Sequence, residues 1–258
     1  MQKNWDPKIY LRYEQYRTRP AIDLISQIKL EIPGAIVDLG CGPGNVTHKL
    51  ANKWKKRQVY GIDNSHQMLA QAKANYNNIN WNLSAIENWS PQTPTALIFS
   101  NAALHWVSNK SSLLTKLVDF LEPGGHFAFQ IPITEHSEYQ VCIRQTIESQ
   151  RWRDKLKKIW IYKDPLPAES IYQALLPVCS TVDIWVTNYF HVLEGDSPVT
   201  AWIKATGLTP YLEVLSHKER HEFLSDYTQC VNKSYRTQSN GSILFPMKRI
   251  FAVAKKEA

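Results

Sequence analysis

Cysteine is scarce in this chain. Its four cysteines, at 41, 142, 179 and 230, lie far apart, with no C-x-x-C and no spacing that suits a metal. That excludes a disulfide framework and the common zinc modules, and no metal is expected. Free thiols fit a reducing compartment, so a cytoplasmic location is expected. Long apolar runs are also missing: none approaches the length needed to span a bilayer. The opening Met1-Gln2-Lys3-Asn4-Trp5-Asp6 has neither the apolar core nor the cleavage signature of a leader. No membrane partner is expected. Internal repeats and low-complexity segments are absent as well, which excludes a solenoid or a fibrous protein.

What remains is 258 residues of ordinary apolar content, enough for one large domain or two small ones. The formal charge is +7, which suits nucleic acid, an acidic protein or an anionic small substrate. The excess sits in two places. Lys53-Trp54-Lys55-Lys56-Arg57 reads as an exposed helix end, where cations suit the dipole. The segment from Arg144 to Lys158 mixes Arg151, Arg153, Lys155, Lys157 and Lys158 with Glu148 and Asp154. It reads as a solvated helix face or as a binding patch.

The chain is organised around Ala35-Ile36-Val37-Asp38-Leu39-Gly40-Cys41-Gly42-Pro43-Gly44-Asn45. The apolar start predicts a buried strand, then a glycine-rich turn, then a helix from about Val46. That is the opening of a nucleotide-binding α/β unit. A dinucleotide fingerprint needs a third glycine where Asn45 stands. The acid two residues before Gly40 would repel a pyrophosphate and welcome a ligand carrying an ammonium and a sulfonium. The pattern resembles motif I of the class I S-adenosylmethionine-dependent methyltransferases. The resemblance implies that Gly40, Cys41, Gly42 and Gly44 form the cofactor loop, where glycine lets backbone approach a ligand. It also implies that Asp38 lies near the methionine amine.

The next strand, Gln58 to Asp63, ends in an acid about twenty residues past the glycines, where two carboxylate oxygens suit a ribose diol. Asn64-Ser65 cap a helix carrying Met68, Leu69 and Ala72 on one face. Met68 has two readings, a cover for adenine or a core methionine. A weak strand follows at 79–83. Where the family usually has an acid or amide on the adenine edge, this chain has Ala85, leaving the backbone of Ala85 and Ile86 for that contact.

The fourth strand, Thr95 to Ser100, runs into Asn101-Ala102-Ala103-Leu104-His105-Trp106. Ligands bind at the carboxyl ends of parallel strands, so this loop faces the methyl donor. It is neither N-P-P-Y nor D-P-P-Y, which argues against methylation of adenine or of a protein glutamine. Asn101 is placed on the cofactor, with His105 and Trp106 where a methyl passes. His105 also has a purely structural reading. A helix over 113–121 and Leu121-Glu122-Pro123-Gly124-Gly125 lead to a fifth strand, His126 to Ile131, again like the class I family.

Beyond Pro132 a long helix is predicted over about 137–158, another near 169–176, a strand over 181–190, a helical polar stretch over 196–238, and a last strand from Ile243 to Val253. Before the first strand, Tyr10, Tyr13 and Tyr16 stand at helical spacing, as core or as a flap, and Pro20 reads as a second helix start. The expected fold is α/β, a doubly wound, Rossmann-like seven-stranded sheet with a helical lid insertion. One domain is expected, with a helical flap over 1–34, a cofactor-binding core over 35–195, a lid over 196–238 and the final strand over 239–258.

Trp5-Asp6-Pro7 to Pro20, Val37 to Asn45, Gly61-Ile62-Asp63, Ser100 to Trp106, Val182 to Trp185 and Trp202 to Leu212 together resemble the trans-aconitate methyltransferases of bacteria. Ala205-Thr206-Gly207-Leu208-Thr209-Pro210-Tyr211-Leu212 is the most specific stretch. The resemblance implies methyl transfer from S-adenosylmethionine to a carboxylate of a small polycarboxylate. Such a carboxylate is already ionised at neutral pH and needs no general base. Its other carboxylates need anchors. Tyr10, Arg17, Arg19, Trp202, Lys204 and Arg236 are the candidates, although each arginine also reads as a surface ion pair. Two rival readings stay open: methylation of a malonyl group on an acidic carrier protein, with 144–158 as its landing site, or of another small acid. A nucleic-acid-binding module lacks any supporting motif, so no nucleic-acid partner is expected.

Overall fold

The computed structural model describes residues 14–159, 166–204 and 207–257. They divide into two compact units. The first holds 14–132, 166–187 and 249–257, and the second holds 133–159, 188–204 and 207–248.

The first unit carries the predicted alternation. Its elements are α1 (Glu14–Ser26), β1 (Ala35–Leu39), α2 (Asn45–Lys53), β2 (Val59–Asp63), α3 (His66–Asn75), β3 (Asn80–Leu83), β4 (Thr95–Asn101), α4 (Lys110–Asp119), β5 (Leu121–Pro132) and, later in the chain, α7 (Ala168–Leu175). Two longer strands, β6 (Cys179–Leu193) and β7 (Ile243–Lys256), complete a seven-stranded sheet of order β3-β2-β1-β4-β5-β7-β6. β1, β2, β3, β4 and β5 pair in parallel, and β7 lies antiparallel to β5. All five residues of β1 are buried, because a central parallel strand is covered on both faces. This is why Ala35-Ile36-Val37 is a continuous apolar run rather than an alternating one. The edge strand β3 has no buried residue, which explains its weak signal in the sequence.

Local chemistry sets the helix starts. Ser65 caps α3 by accepting from the Met68 N–H at 3.3 Å, and Met68, Leu69 and Ala72 face the core. Trp81 on β3 lies over two glycines. A Cβ built on Gly61 would come within 2.3 Å of its ring, and one on Gly44 within 2.5 Å.

Two expectations need correction. Pro20 does not start a helix; α1 runs through it from Glu14 to Ser26. A proline inside a helix removes one backbone hydrogen bond and crowds the preceding turn, and Ala21, Leu24 and Ile25, with Ile28 just beyond the helix, bury apolar side chains that offset the loss. The long helix over 137–158 is broken. In the second unit α5 (Glu138–Glu148) stops at Ser149, and a turn leads to the short α6 (Arg153–Leu156). The turn buries Trp152, whose ring meets Phe223 edge-on and whose Nε1 donates to Asp226 at 2.7 Å.

The second unit also holds α8 (Pro198–Lys204), α9 (Thr209–Leu212) and α10 (His217–Ser234). α10 packs its Phe223, Tyr227 and Val231 face in the core, and Ser216 with Glu219 forms a reciprocal cap at its start. Glu219 also pairs with Lys155, and Arg151 pairs with Glu222 and, at 3.6 Å, with Asp226. Lys155 first, then Ser216, holds the Glu219 carboxyl down at about 2. Two cations of the basic segment are therefore matched by acids of α10. No helix of the described residues is long and apolar enough to cross a membrane.

Candidate active site

The strand order reverses between β1 and β4, and the loops leaving their carboxyl ends diverge there. A cavity of about 440 Å³ lies at this point. Gly40 and Gly42 line it after β1; Asp63, Asn64 and Met68 after β2; Ser84, Ala85, Ile86 and Glu87 after β3; and Asn101, Ala102, Ala103, Trp106 and Val107 after β4. The volume suits a small-molecule site. A larger hollow, about 750 Å³, opens at the opposite ends of the strands beside Arg57 and Pro94. Its Arg57 is held by the carbonyls of Ile32 and Gly34, and the glycine turn lies elsewhere.

The three glycines of the turn do different work. Only Gly42 would point a Cβ into open space, so it alone keeps backbone clear for a ligand. Gly40 has φ +75°, and a Cβ there would sit 2.2 Å from that of Ala103. It lets the loops after β1 and β4 meet. Gly44 faces the Trp81 ring and not the cavity. Gly40→Ala should therefore lower stability by about 2–4 kcal/mol, combining left-handed strain with overpacking. Gly42→Ala should cost only about 1 kcal/mol of stability while impairing ligand binding. Urea unfolding of both variants, with ligand titration, checks the split.

Asp38 is 1 % exposed and lies behind the turn. Thr47 donates to its Oδ2 at 2.6 Å, while Oδ1 has no hydrogen-bond partner among the described residues. Burial raises its pKa from 3.8 to about 7, against the Thr47 bond, with Asp63 adding repulsion. Asp63 reaches the cavity and clasps the turn. Its Oδ2 accepts from Gly42 N at 2.9 Å and its Oδ1 from Ser65 N at 2.8 Å. Burial raises the Asp63 pKa too, opposed by these backbone donors. Cys41 is buried, and desolvation with the two carboxylates pushes its thiol far up, so it stays protonated.

Asn45, standing in the slot of the missing glycine, donates from Nδ2 to Thr18 Oγ1 at 3.1 Å and so ties α1 to the turn. Ala102 holds φ +54° and donates its N–H to Gln130 O at 2.9 Å. Trp106 lines the cavity. His105 is not among its lining residues, but its ring lies 4.8 Å from that of Trp106.

Of the residues expected to anchor a substrate, Tyr10 lies outside the described residues. Arg17 and Arg19 sit on α1 in the first unit, Arg17 half-buried and Arg19 exposed. Trp202, Lys204 and Arg236 belong to the second unit. Trp202 is buried beside His191 and Phe245, while Lys204 and Arg236 are exposed. Sequence reasoning missed Ser84, Glu87, Ala102, Ala103 and Val107 as lining residues, and Thr47 behind Asp38. Glu87 carries an acid two positions past the site where Ala85 lacks one. Among the described residues no cluster of three or more acids, histidines or cysteines is placed to hold a metal.

Residues 36–125 match the family model described as a methyltransferase domain. The chain is 38 % identical over 254 residues to the trans-aconitate 2-methyltransferase of Rhodopseudomonas palustris strain BisB18, covering 98 % of this chain and 99 % of that one. It is 37 % identical to the enzyme of that name from Streptomyces avermitilis, covering 99 % and 98 %. Among solved structures, the fold is similar to the YcgJ protein from Bacillus subtilis, with TM-score 0.57, 14 % identity and coverage of 93 % and 99 %. It is also similar to Haemonchus contortus phosphoethanolamine N-methyltransferase 2, solved with S-adenosylhomocysteine, with TM-score 0.53, 18 % identity and coverage of 93 % and 53 %. Sheet order, glycine turn and cavity thus define a class I methyltransferase. The chain belongs to the trans-aconitate 2-methyltransferase family.

Proposed function

We propose that this methyltransferase converts one carboxylate of trans-aconitate to its methyl ester, leaving S-adenosylhomocysteine, and that it works in the cytoplasm. The observation that carries the cofactor assignment is the buried Asp38, one oxygen of which has no partner among the described residues, set behind a glycine turn and beside Asp63. The residues fit S-adenosylmethionine. Asp38 Oδ1 suits its ammonium, Asp63 its ribose hydroxyls, and Gly42 leaves room for close approach. When bound, S-adenosylmethionine supplies a transferable methyl group on a positively charged sulfur.

The chain's own work is positional. The substrate oxygen is already anionic at neutral pH, so no residue need remove a proton. Trp106 forms a wall that limits water at the cavity, with His105 against its ring as a donor. Met68 lines the same cavity with Ala85 and Ile86, where adenine would pack. Arg17, Arg19, Lys204 and Arg236, with Tyr10 and Trp202, are the candidates for the spectator carboxylates on their charge and hydrogen-bonding chemistry alone, and the stretch 196–238 is the candidate lid. A net charge of +7 helps draw in a trianion.

Methylation of a carrier-bound malonyl group is not favoured. Arg151 and Lys155, part of its imagined landing site, are paired within their own unit. The test is product formation from S-adenosylmethionine with trans-aconitate, cis-aconitate, citrate, a fatty acid and malonyl-carrier protein. A base-labile methyl ester on trans-aconitate is the expected result. Turnover with the carrier protein alone would overturn the substrate and keep the cofactor.

A further inference from the structure

Behind the cavity, three polar side chains of the first unit form a chain of hydrogen bonds. Arg249 on β7 donates from Nη1 to Gln130 Oε1 at 3.0 Å. Gln130 on β5 donates from Nε2 to Asn101 Oδ1 at 2.6 Å. Arg249 is 4 % exposed and Gln130 fully buried, while Asn101 lines the cavity. Strand register brings them together. Asn101 stands opposite Gln130 on the parallel pair β4–β5. Arg249 stands opposite Pro132, two residues past Gln130 and so on the same face. The Gln130 carbonyl also holds the N–H of Ala102 at its positive φ, so one residue fixes both positions of the turn.

The direction of this chain is not arbitrary. A guanidinium only donates, so the carbonyl end of Gln130 must face Arg249. Its NH₂ then faces Asn101, and the carbonyl of Asn101 faces Gln130. Neither amide is free to turn over. We propose that Arg249 is a positioning residue acting through Gln130: it locks Asn101 so that its NH₂ is the group offered to the cavity, as a donor for a carboxylate oxygen. The buried cation at the far end polarises both amides in one sense, which strengthens the last donor and favours an anionic acceptor. The inference rests on the functional reading above. That reaction brings carboxylates to the cavity on two molecules, the amino-acid moiety of the cofactor and the acid substrate.

Gln130→Glu tests it. The new carboxylate keeps the Arg249 contact but only accepts, so Asn101 must turn its NH₂ away and show the cavity a carbonyl. Calorimetric titration with S-adenosylhomocysteine, KM and kcat for trans-aconitate, and Tm are measured on wild type and variant. The expected result is a Tm at or above wild type with a loss of at least about tenfold in one affinity. A weaker Kd for S-adenosylhomocysteine with unchanged KM assigns the donor to the cofactor carboxylate, and the reverse assigns it to the substrate. Arg249→Lys, which keeps an obligate donor, should retain affinity, and Arg249→Met should lose it. Wild-type constants in a folded Gln130→Glu protein overturn the inference and leave the functional reading standing. A wild-type protein that binds no S-adenosylhomocysteine overturns both.

Discussion

Asp63→Ala is expected to weaken cofactor affinity at least about a hundredfold, and the size follows from two losses that occur together. Its carboxylate is the acceptor suited to the ribose hydroxyls, and a hydrogen bond to a charged group is worth about 1.5–3 kcal/mol. The same carboxylate clasps Gly42 N and Ser65 N, so its removal also releases the turn that leaves room for the ligand. Two such bonds correspond to about 3–6 kcal/mol, or two to four orders of magnitude in Kd. Titration with S-adenosylhomocysteine measures it. Asp63→Asn, which keeps one acceptor oxygen, should lose less. A Kd for Asp63→Ala within a few-fold of wild type would move the ribose away from β2.

Asp38→Asn should separate stability from binding, with opposite signs. In the folded, ligand-free protein the carboxyl has a pKa of about 7, against 3.8 for its ordinary value. The folded state then holds a proton that the unfolded state has released, so stability falls as pH rises from about 4 to about 7 and is flat beyond. The shift is worth about 4 kcal/mol at pH 8. An asparagine never charges, but its NH₂ stands where Oδ1 has no described partner, which costs about 1–3 kcal/mol. The variant should therefore be about 1–3 kcal/mol more stable than wild type at pH 8 and no more stable at pH 4. Affinity should move the other way, by about 2–3 kcal/mol or roughly 30- to 150-fold, since the cofactor's ammonium loses its carboxylate. Wild-type affinity should also drop as pH falls below 7, where Asp38 takes up its proton, and that limb should vanish in the variant. Urea unfolding between pH 4 and 8 and S-adenosylhomocysteine titration between pH 5.5 and 8 decide it. An affinity independent of pH in wild type would sink the ammonium assignment.

Most of the lining of the cavity was legible in the chain because it is local. Strand, glycine turn and acid are consecutive, and each following strand ends in a loop that reaches the cavity. Gly40, Gly42, Asp63, Asn64, Met68, Ala85, Ile86, Asn101 and Trp106 reach one cavity by that rule. Gly44 stood in the same motif and turned out to face Trp81, because a glycine pattern records the need for space without saying what fills it. Charge counting left two readings open in a similar way. The run from Arg144 to Lys158 reads as a solvated helix face or as a binding patch until α10 brings Glu219, Glu222 and Asp226 beside Arg151 and Lys155.

By itself the sequence determined the class of fold, the cofactor motif and the family, because periodicity, glycine placement and an acid at a strand end are short-range signals. Only the tertiary structure decided that Asp38 is buried with one oxygen unpartnered among the described residues, that Trp81 keys into two glycines, and that Arg249 reaches Asn101 through Gln130. Those facts depend on strand register. Residues 119 positions apart become hydrogen-bond partners only when β7 runs antiparallel to β5 in one alignment. A shift of one residue would turn each side chain to the other face of the sheet.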